Sequence, residues 1–212
     1  HPGRSILFGN GGIPNRMTSV KSSAGAVTTV AYAPSSDFGV NQMPGIQHLV
    51  KTLTVADGRG NATATEFSYA GGRYDFTNRR TLGYRTITVT LPALPGEVDP
   101  IKVVTIYHNT HLAEYGLIEK REVLQGSTIL ASEDNSYAIL KTGNGPWRAD
   151  LTGERGATRF GSALVETAVT RAYNLFGQVV RETNLGLTSD GADLDPSDNV
   201  VTTIGYNPDL SA

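Results

Sequence analysis

Short runs in which β-branched residues recur at alternate positions, each cut off by a glycine-bearing turn, dominate this sequence of 212 residues. Val27-Thr28-Thr29-Val30-Ala31-Tyr32 and Leu49 to Val55 are two such runs. A period of two suits a strand, whose side chains point alternately to opposite faces. Ala24-Gly25 offers a turn between Met17–Ser22 and Ala26–Tyr32, which predicts a first hairpin. Asp57-Gly58-Arg59-Gly60-Asn61 separates Leu49–Val55 from Ala62–Tyr69 and predicts a second, because glycine supplies the positive φ that tight reversals need. Arg85 to Leu91 alternates Thr with Ile and Val until Pro92 and Pro95, and Val103 to His108 can pair back onto Ile87–Leu91.

Further along, Leu117–Leu124 and Ser127–Leu140 form a hairpin pattern around Gln125-Gly126, with polar Ser132–Ser136 a point of interruption. The polar, Gly-rich stretch from Lys141 to Gly161, which carries Trp147, is read as a long connection. Ala163–Tyr173 and Gln178–Asn184 flank the turn Asn174-Leu175-Phe176-Gly177, and Val200 to Tyr206 is the last strand. Ala163–Tyr173 could wind as a helix, but Val165, Thr167, Val169 and Thr170 are stiff at χ1 and favour a strand. Serial hairpins without crossover helices imply an all-β chain of antiparallel hairpins forming one large curved sheet. The expected divisions are 1–125 (hairpins), 126–161 (a hairpin strand and the long connection) and 162–212 (a last hairpin and C-terminal strand).

Composition narrows function mainly by exclusion. The 24 glycines and as many threonines disfavour a helical bundle, and 39% hydrophobic with 18% charged residues disfavours a disordered chain. A formal charge of −2 makes no case for nucleic acid. There is no cysteine, so disulfides, zinc thiolates and thiol nucleophiles are excluded. No apolar run approaches the roughly 18 residues that span a bilayer. His1-Pro2-Gly3-Arg4-Ser5 lacks both an initiator Met and the layout of a signal peptide, so the chain is read as a piece of something longer.

Candidate chemistry is sparse. His108 and His111 make an H-x-x-H pair, but on a strand they would face opposite ways; only a turn at Asn109-Thr110 could bring them to one ion. His48, at a strand start, reads as a packing or rim residue. Asp190, Asp193, Asp195 and Asp198 could offer oxygen to calcium, yet they lack the spacing of a helix-loop-helix calcium site and read as a solvated loop; Glu133-Asp134-Asn135 reads the same way. Gly9-Asn10-Gly11-Gly12 is not followed by the Lys-Ser/Thr of a phosphate cradle. No G-x-S-x-G elbow occurs. Asn61-Ala62-Thr63 fits the glycosylation pattern. Arg73, Arg79, Arg80 and Arg85 interleave with Tyr69, Tyr74, Phe76 and Tyr84, as a stacking surface for single strands would, but without a wider basic footprint. No catalytic, cofactor-binding or metal residue is assigned.

Three stretches carry a resemblance: Val55-Ala56-Asp57-Gly58-Arg59-Gly60-Asn61, Phe67-Ser68-Tyr69-Ala70-Gly71-Gly72-Arg73-Tyr74-Asp75 and Arg79-Arg80-Thr81-Leu82-Gly83-Tyr84-Arg85. Together they resemble the region just after the β-propeller in bacterial RHS/YD-repeat proteins, shared by the B-component of insecticidal Tc toxins and by SpvB-type proteins. Val20–Phe38 is similar to the start of that region, and Tyr107-His108-Asn109 to the strand that follows it. Tyr173-Asn174-Leu175-Phe176-Gly177-Gln178-Val179 resembles a degenerate YD repeat with Asn in place of Asp.

The resemblance implies a shell in which repeated hairpins wind into a cocoon around a toxic C-terminal effector. The implied role is a non-enzymatic structural segment of a secreted or surface-exposed bacterial toxin, linking propeller to cocoon, with no cofactor. Its partners would be neighbouring β-modules of the same polypeptide or subunits of a toxin complex, with no nucleic acid and no membrane insertion by this segment. The family's self-cleavage element, Asp-Pro followed shortly by Gly, is not matched by Asp99-Pro100-Ile101 or Asp195-Pro196-Ser197. Strand edges left open by such a piece would invite oligomerisation. The alternative is a cell-surface carbohydrate-binding β-module displaying Tyr69, Tyr74, Tyr84 and Trp147; a hydrolase has no motif to recommend it.

Overall fold

The computed structural model describes residues 16–39, 41–141 and 146–206. The N-terminal pentapeptide and the Gly9–Gly12 run lie outside the described residues. Thirteen strands follow one another: β1 (Ser19–Lys21), β2 (Val27–Pro34), β3 (His48–Ala56), β4 (Ala62–Asp75), β5 (Arg80–Thr90), β6 (Ile101–Tyr107), β7 (Ile118–Gln125), β8 (Thr128–Lys141), β9 (Trp147–Phe160), β10 (Ala163–Tyr173), β11 (Val179–Ser189), β12 (Ala192–Asp193) and β13 (Val200–Thr203). Each of β1 to β12 pairs antiparallel with its chain neighbours, and β13 turns back to pair with β11 alongside β12. This is the all-β serial-hairpin sheet expected from the alternation. Short single-turn 3-10 segments at Ser35–Phe38, Leu112–Glu114 and Pro196–Asp198 are the only helical pieces among the described residues.

The hairpin turns fall where glycine and Asx chemistry place them. Asp57 Oδ1 accepts the backbone N–H groups of Arg59 and Asn61, and Asn61 Nδ2 donates to Asp57 Oδ2 at 2.7 Å. Asp75 holds the next turn in the same way, through Thr77, Asn78 and the Asn78 amide. Asn174 Oδ1 does so for Phe176 and Gln178.

Several expectations are corrected. Lys141 to Gly161 is not a long connection: Trp147–Phe160 is a fourteen-residue strand, paired with β8 from Lys141↔Trp147 to Ala131↔Thr158 and with β10 from Phe160↔Ala163 onward. The polar Ser132–Ser136 does not interrupt β8, because Asp134 and Glu133 lie opposite Lys120 and Arg121 on β7, so the ladder pairs opposite charges. The strand expected through His108 ends at Tyr107, and the last strand ends at Thr203 rather than Tyr206.

Among the described residues no second layer covers this sheet, and only Val30, Ala33, Leu82, Ala157 and Ala168 are buried and apolar. The chain, 22.5 kDa, exposes 14495 Å², against roughly 9,500 Å² for a compact protein of that mass. Curvature comes from the ladder itself. Five register shifts sit immediately before a tyrosine, at Tyr32, Tyr74, Tyr107, Tyr137 and Tyr173, one on each of the even strands β2 to β10. The even strands run in the same direction. In each shift the extra residue lies on the following odd strand (Lys51, Leu82, Glu119, Thr152 and Val180), so the bulges recur hairpin after hairpin and bend the sheet with a consistent sense.

Candidate functional site

With no enclosed core among the described residues, any function they carry rests on what the faces and rims of the sheet present. Tyrosines stitch the hairpins. Tyr32, Tyr137 and Tyr173 donate their hydroxyls to the carbonyls of Met17, Ile118 and Leu151, each on the preceding hairpin arm. Tyr69 donates to Val50 O, and burial pushes its hydroxyl pKa up. An aromatic body at the bulge and a hydroxyl satisfied by a backbone carbonyl fit a half-buried position.

Charged side chains bridge three strands at a time. The Arg85 guanidinium on β5 donates to Tyr107 O on β6 and to Glu119 Oε1 on β7, the latter at 2.6 Å. That hydrogen bond holds the Glu119 carboxyl below the usual glutamate range. Arg171 on β10 reaches Glu182 Oε2 on β11 at 2.8 Å and Glu154 Oε2 on β9 at 3.2 Å. Arg148 on β9 donates to the nearly buried Asp150 and, at 2.7 Å, to Leu175 O in the β10–β11 turn. These are structural clamps across strands.

The sequence-level candidates disperse. A bend does occur at Asn109-Thr110, but the two histidines part: the His108 ring packs edge-on against Tyr137, with Nδ1 3.6 Å from Glu119 Oε2, while His111 packs on Trp147 at 4.5 Å. His111 Nδ1 also accepts the N–H of Ala113. Among the described residues no three of His, Cys, Asp or Glu gather as a metal cluster. His48 opens β3, its carbonyl taking the Arg16 guanidinium at 2.7 Å. In the acidic loop, Asp193 Oδ1 accepts the N–H of Asp195, and Asp195 Oδ1 accepts the N–H and hydroxyl of Ser197. Those carboxylates cap their own loop. Glu133, Asp134 and Asn135 sit within β8 rather than in a loop.

The rings of the basic-aromatic stretch, and one of its arginines, are likewise engaged. Tyr69 packs against Phe38 and Tyr84, Tyr74 against Phe76, and Trp147 lies between His111 and the Lys141 ammonium. Of the four arginines, Arg85 is locked in its bridge and Arg79 is a turn residue with φ 54°. A depression of about 390 Å³ lies open on one face between Arg121, Val123, Glu133, Phe160 and Val165. Arg121 and Glu133 are the charged groups lining it and stand opposite each other in the ladder. A nucleophile–base pair needs hydrogen-bond reach and a base held by a third group, and this arrangement offers neither. Sequence reading missed the tyrosine bulges, although a tyrosine near the end of every second strand was there to be seen.

The fold defines a class: a single-layer meander of hairpins, bulged at regular intervals, that forms a wall. Residues 14–114, just under half the chain, match the family described as "Insecticide toxin TcdB middle/N-terminal region" and are similar to that part of a Tc toxin B-component. Solved structures share the fold. The chain superposes on TcdB2-TccC3 lacking its hypervariable C-terminal region with a TM-score of 0.65 at 14% identity, covering 76% of this chain and 11% of that one. On the Photorhabdus luminescens Tc holotoxin pore the TM-score is 0.64, again at 14% identity and with 76% and 11% coverage. TcdB2-TccC3 itself gives 0.63, at 14% identity, 76% and 12%. The chain thus spans about a ninth of the length of the chains it matches. No curated protein matches it.

Proposed function

We propose that this chain is a non-enzymatic wall segment of a secreted Tc-type toxin, joining a propeller region to a hairpin cocoon and helping to enclose a toxic effector. One observation carries the reading: thirteen strands form one open layer whose faces stay half exposed, so the segment becomes fully buried only when further protein lies against it. The match of residues 14–114 to the TcdB middle region supports the same reading. The partners are the adjoining hairpins of the same polypeptide and the other subunits of a toxin complex.

Open edges were the expected driver of association, but the edge strands are short: β1 has three residues, β12 two and β13 four. Short edges resist runaway pairing. The faces therefore carry most of the contact, with the exposed Leu175 and Phe176 at the β10–β11 tip as apolar anchor points. The test is hydrogen exchange of the 212-residue chain alone and within its full-length parent polypeptide. The reading predicts added protection along one whole face-forming set of strands in the parent; identical exchange in both would overturn it.

A further inference from the structure

One row of the sheet carries carboxylates and no base. Across β7 to β12 the register aligns Glu122, Ser132, Ala157, Glu166, Thr188 and Asp193 on one face. Glu122 is met by Lys120 at 2.9 Å. The far end of the row has no such partner. Three of the four buried side-chain oxygens or nitrogens that lack a hydrogen bond among the described residues belong here: Glu166 Oε2, Thr188 Oγ1 and Asn199 Oδ1.

Thr188 is only 5% exposed, so its free hydroxyl is not turned to water. Asn199 joins the group by donating its amide to Asp193 Oδ2 at 2.7 Å, which fixes the amide's orientation and leaves the oxygen as the orphan. Of the two arginines of β9 on this face, one points away and the other reaches the β11–β12 tip, and neither is hydrogen-bonded to Glu166, Thr188 or Asp193 among the described residues. Arg159 donates to Ile129 O and Ser162 O, and Arg155 lies against Gly191, with Nη1 2.8 Å from where a Cβ would stand.

A buried carboxylate oxygen without a donor is costly, and costlier beside another oxygen acceptor. A bound cation would satisfy these oxygens together. We propose that Glu166, Thr188, Asp193 and Asn199 form a site for a hard divalent cation, calcium, at the C-terminal rim of the sheet. All four offer oxygen, two as carboxylates and two as neutral donors, the mixed set that a large ion of flexible coordination accepts. Such an ion would pin β12 and the Pro196–Asp198 turn onto β10 and β11, where the ladder is only two pairs long.

The test is calorimetry and thermal unfolding of the EDTA-treated 212-residue chain with calcium chloride, and with magnesium chloride as comparison. Calcium is expected to bind at one site and to raise Tm by several degrees, the rise growing with the logarithm of concentration. Glu166→Gln and Thr188→Val should each weaken binding by about tenfold or more, since affinity follows ligand charge and number. Asn199→Asp, which places a second charge beside Asp193, should lower the metal-free Tm and enlarge the calcium-induced rise; it serves if the other variants fail to fold. Absence of heat and of any Tm change would overturn the proposal. So would calcium binding undiminished in Glu166→Gln and Thr188→Val, or a Glu166→Gln chain more stable than the parent with calcium inert, which would mean that the oxygens share a proton.

Discussion

Arg85 joins three strands with one guanidinium, and its environment makes a pH-dependent claim. Hydrogen bonding to Arg85 depresses the Glu119 pKa, and a depressed carboxylate contributes stability that is present above its unfolded pKa and lost as pH falls through the folded one. Asp57, Asp75 and Asp195 are lowered too, each chiefly by a side-chain hydrogen bond within its own turn, from Asn61, Asn78 and Ser197. Urea titrations should therefore show stability falling as pH drops through and below the ordinary carboxylate values of 3.8 and 4.5. Glu119→Gln should flatten part of that loss. The Arg85 and Glu119 side chains are more than a third exposed, so the change should be about 1 kcal/mol or less. The tyrosine hydroxyls give a sharper residue-scale test. Tyr137→Phe and Tyr173→Phe each remove one hydrogen bond to a neighbouring strand and should each cost about 0.5–1.5 kcal/mol in denaturant unfolding.

At the scale of the element, turns were more legible than strands. Asp57–Asn61, Gln125-Gly126 and Asn174–Gly177 each join two strands where glycine and Asx patterns place them, because turn chemistry is local. β9 was not legible. Its residues Trp147-Arg148-Ala149-Asp150-Leu151-Thr152-Gly153-Glu154-Arg155 show no apolar face, since neither face of this layer is buried against a second one. Alternation reports one-sided burial; where that is missing, only the backbone ladder and cross-strand charge pairs make the strand. The candidate site was illegible for the same reason, because register across six strands, rather than spacing along the chain, brings its groups together. Two turns are constrained by close approach. Gly58 has φ +76°, and a Cβ there would stand 2.9 Å from Gly25 O, where two hairpin tips meet. Gly177 has φ +81°, with Arg148 Cδ 2.9 Å from a Cβ position. Gly177→Ala should cost about 1–2 kcal/mol from the left-handed backbone alone. Arg148→Ala should cost about 1–3 kcal/mol, by leaving the Asp150 carboxylate, 5% exposed, without its donors. Thermal melts of both variants check this.

For the whole molecule, the hairpin order and antiparallel class followed from the alternation, while the sheet's extent came only from the paired register. Among the described residues five buried apolar side chains are few to hold a thirteen-stranded layer together, which makes the layer dependent on added contacts in a way that a two-layer domain is not. Among the described residues no helix is long and apolar enough to cross a membrane. Exposed Phe76, Leu94, Val98, Phe160, Leu175 and Phe176 add apolar surface at loops and tips. Sedimentation velocity of the isolated chain over a wide concentration range tests the central claim most directly. An unbacked wall predicts a species that associates as concentration rises and returns to monomer on dilution. A monodisperse monomer at every concentration, with the frictional ratio of a sphere, would contradict it.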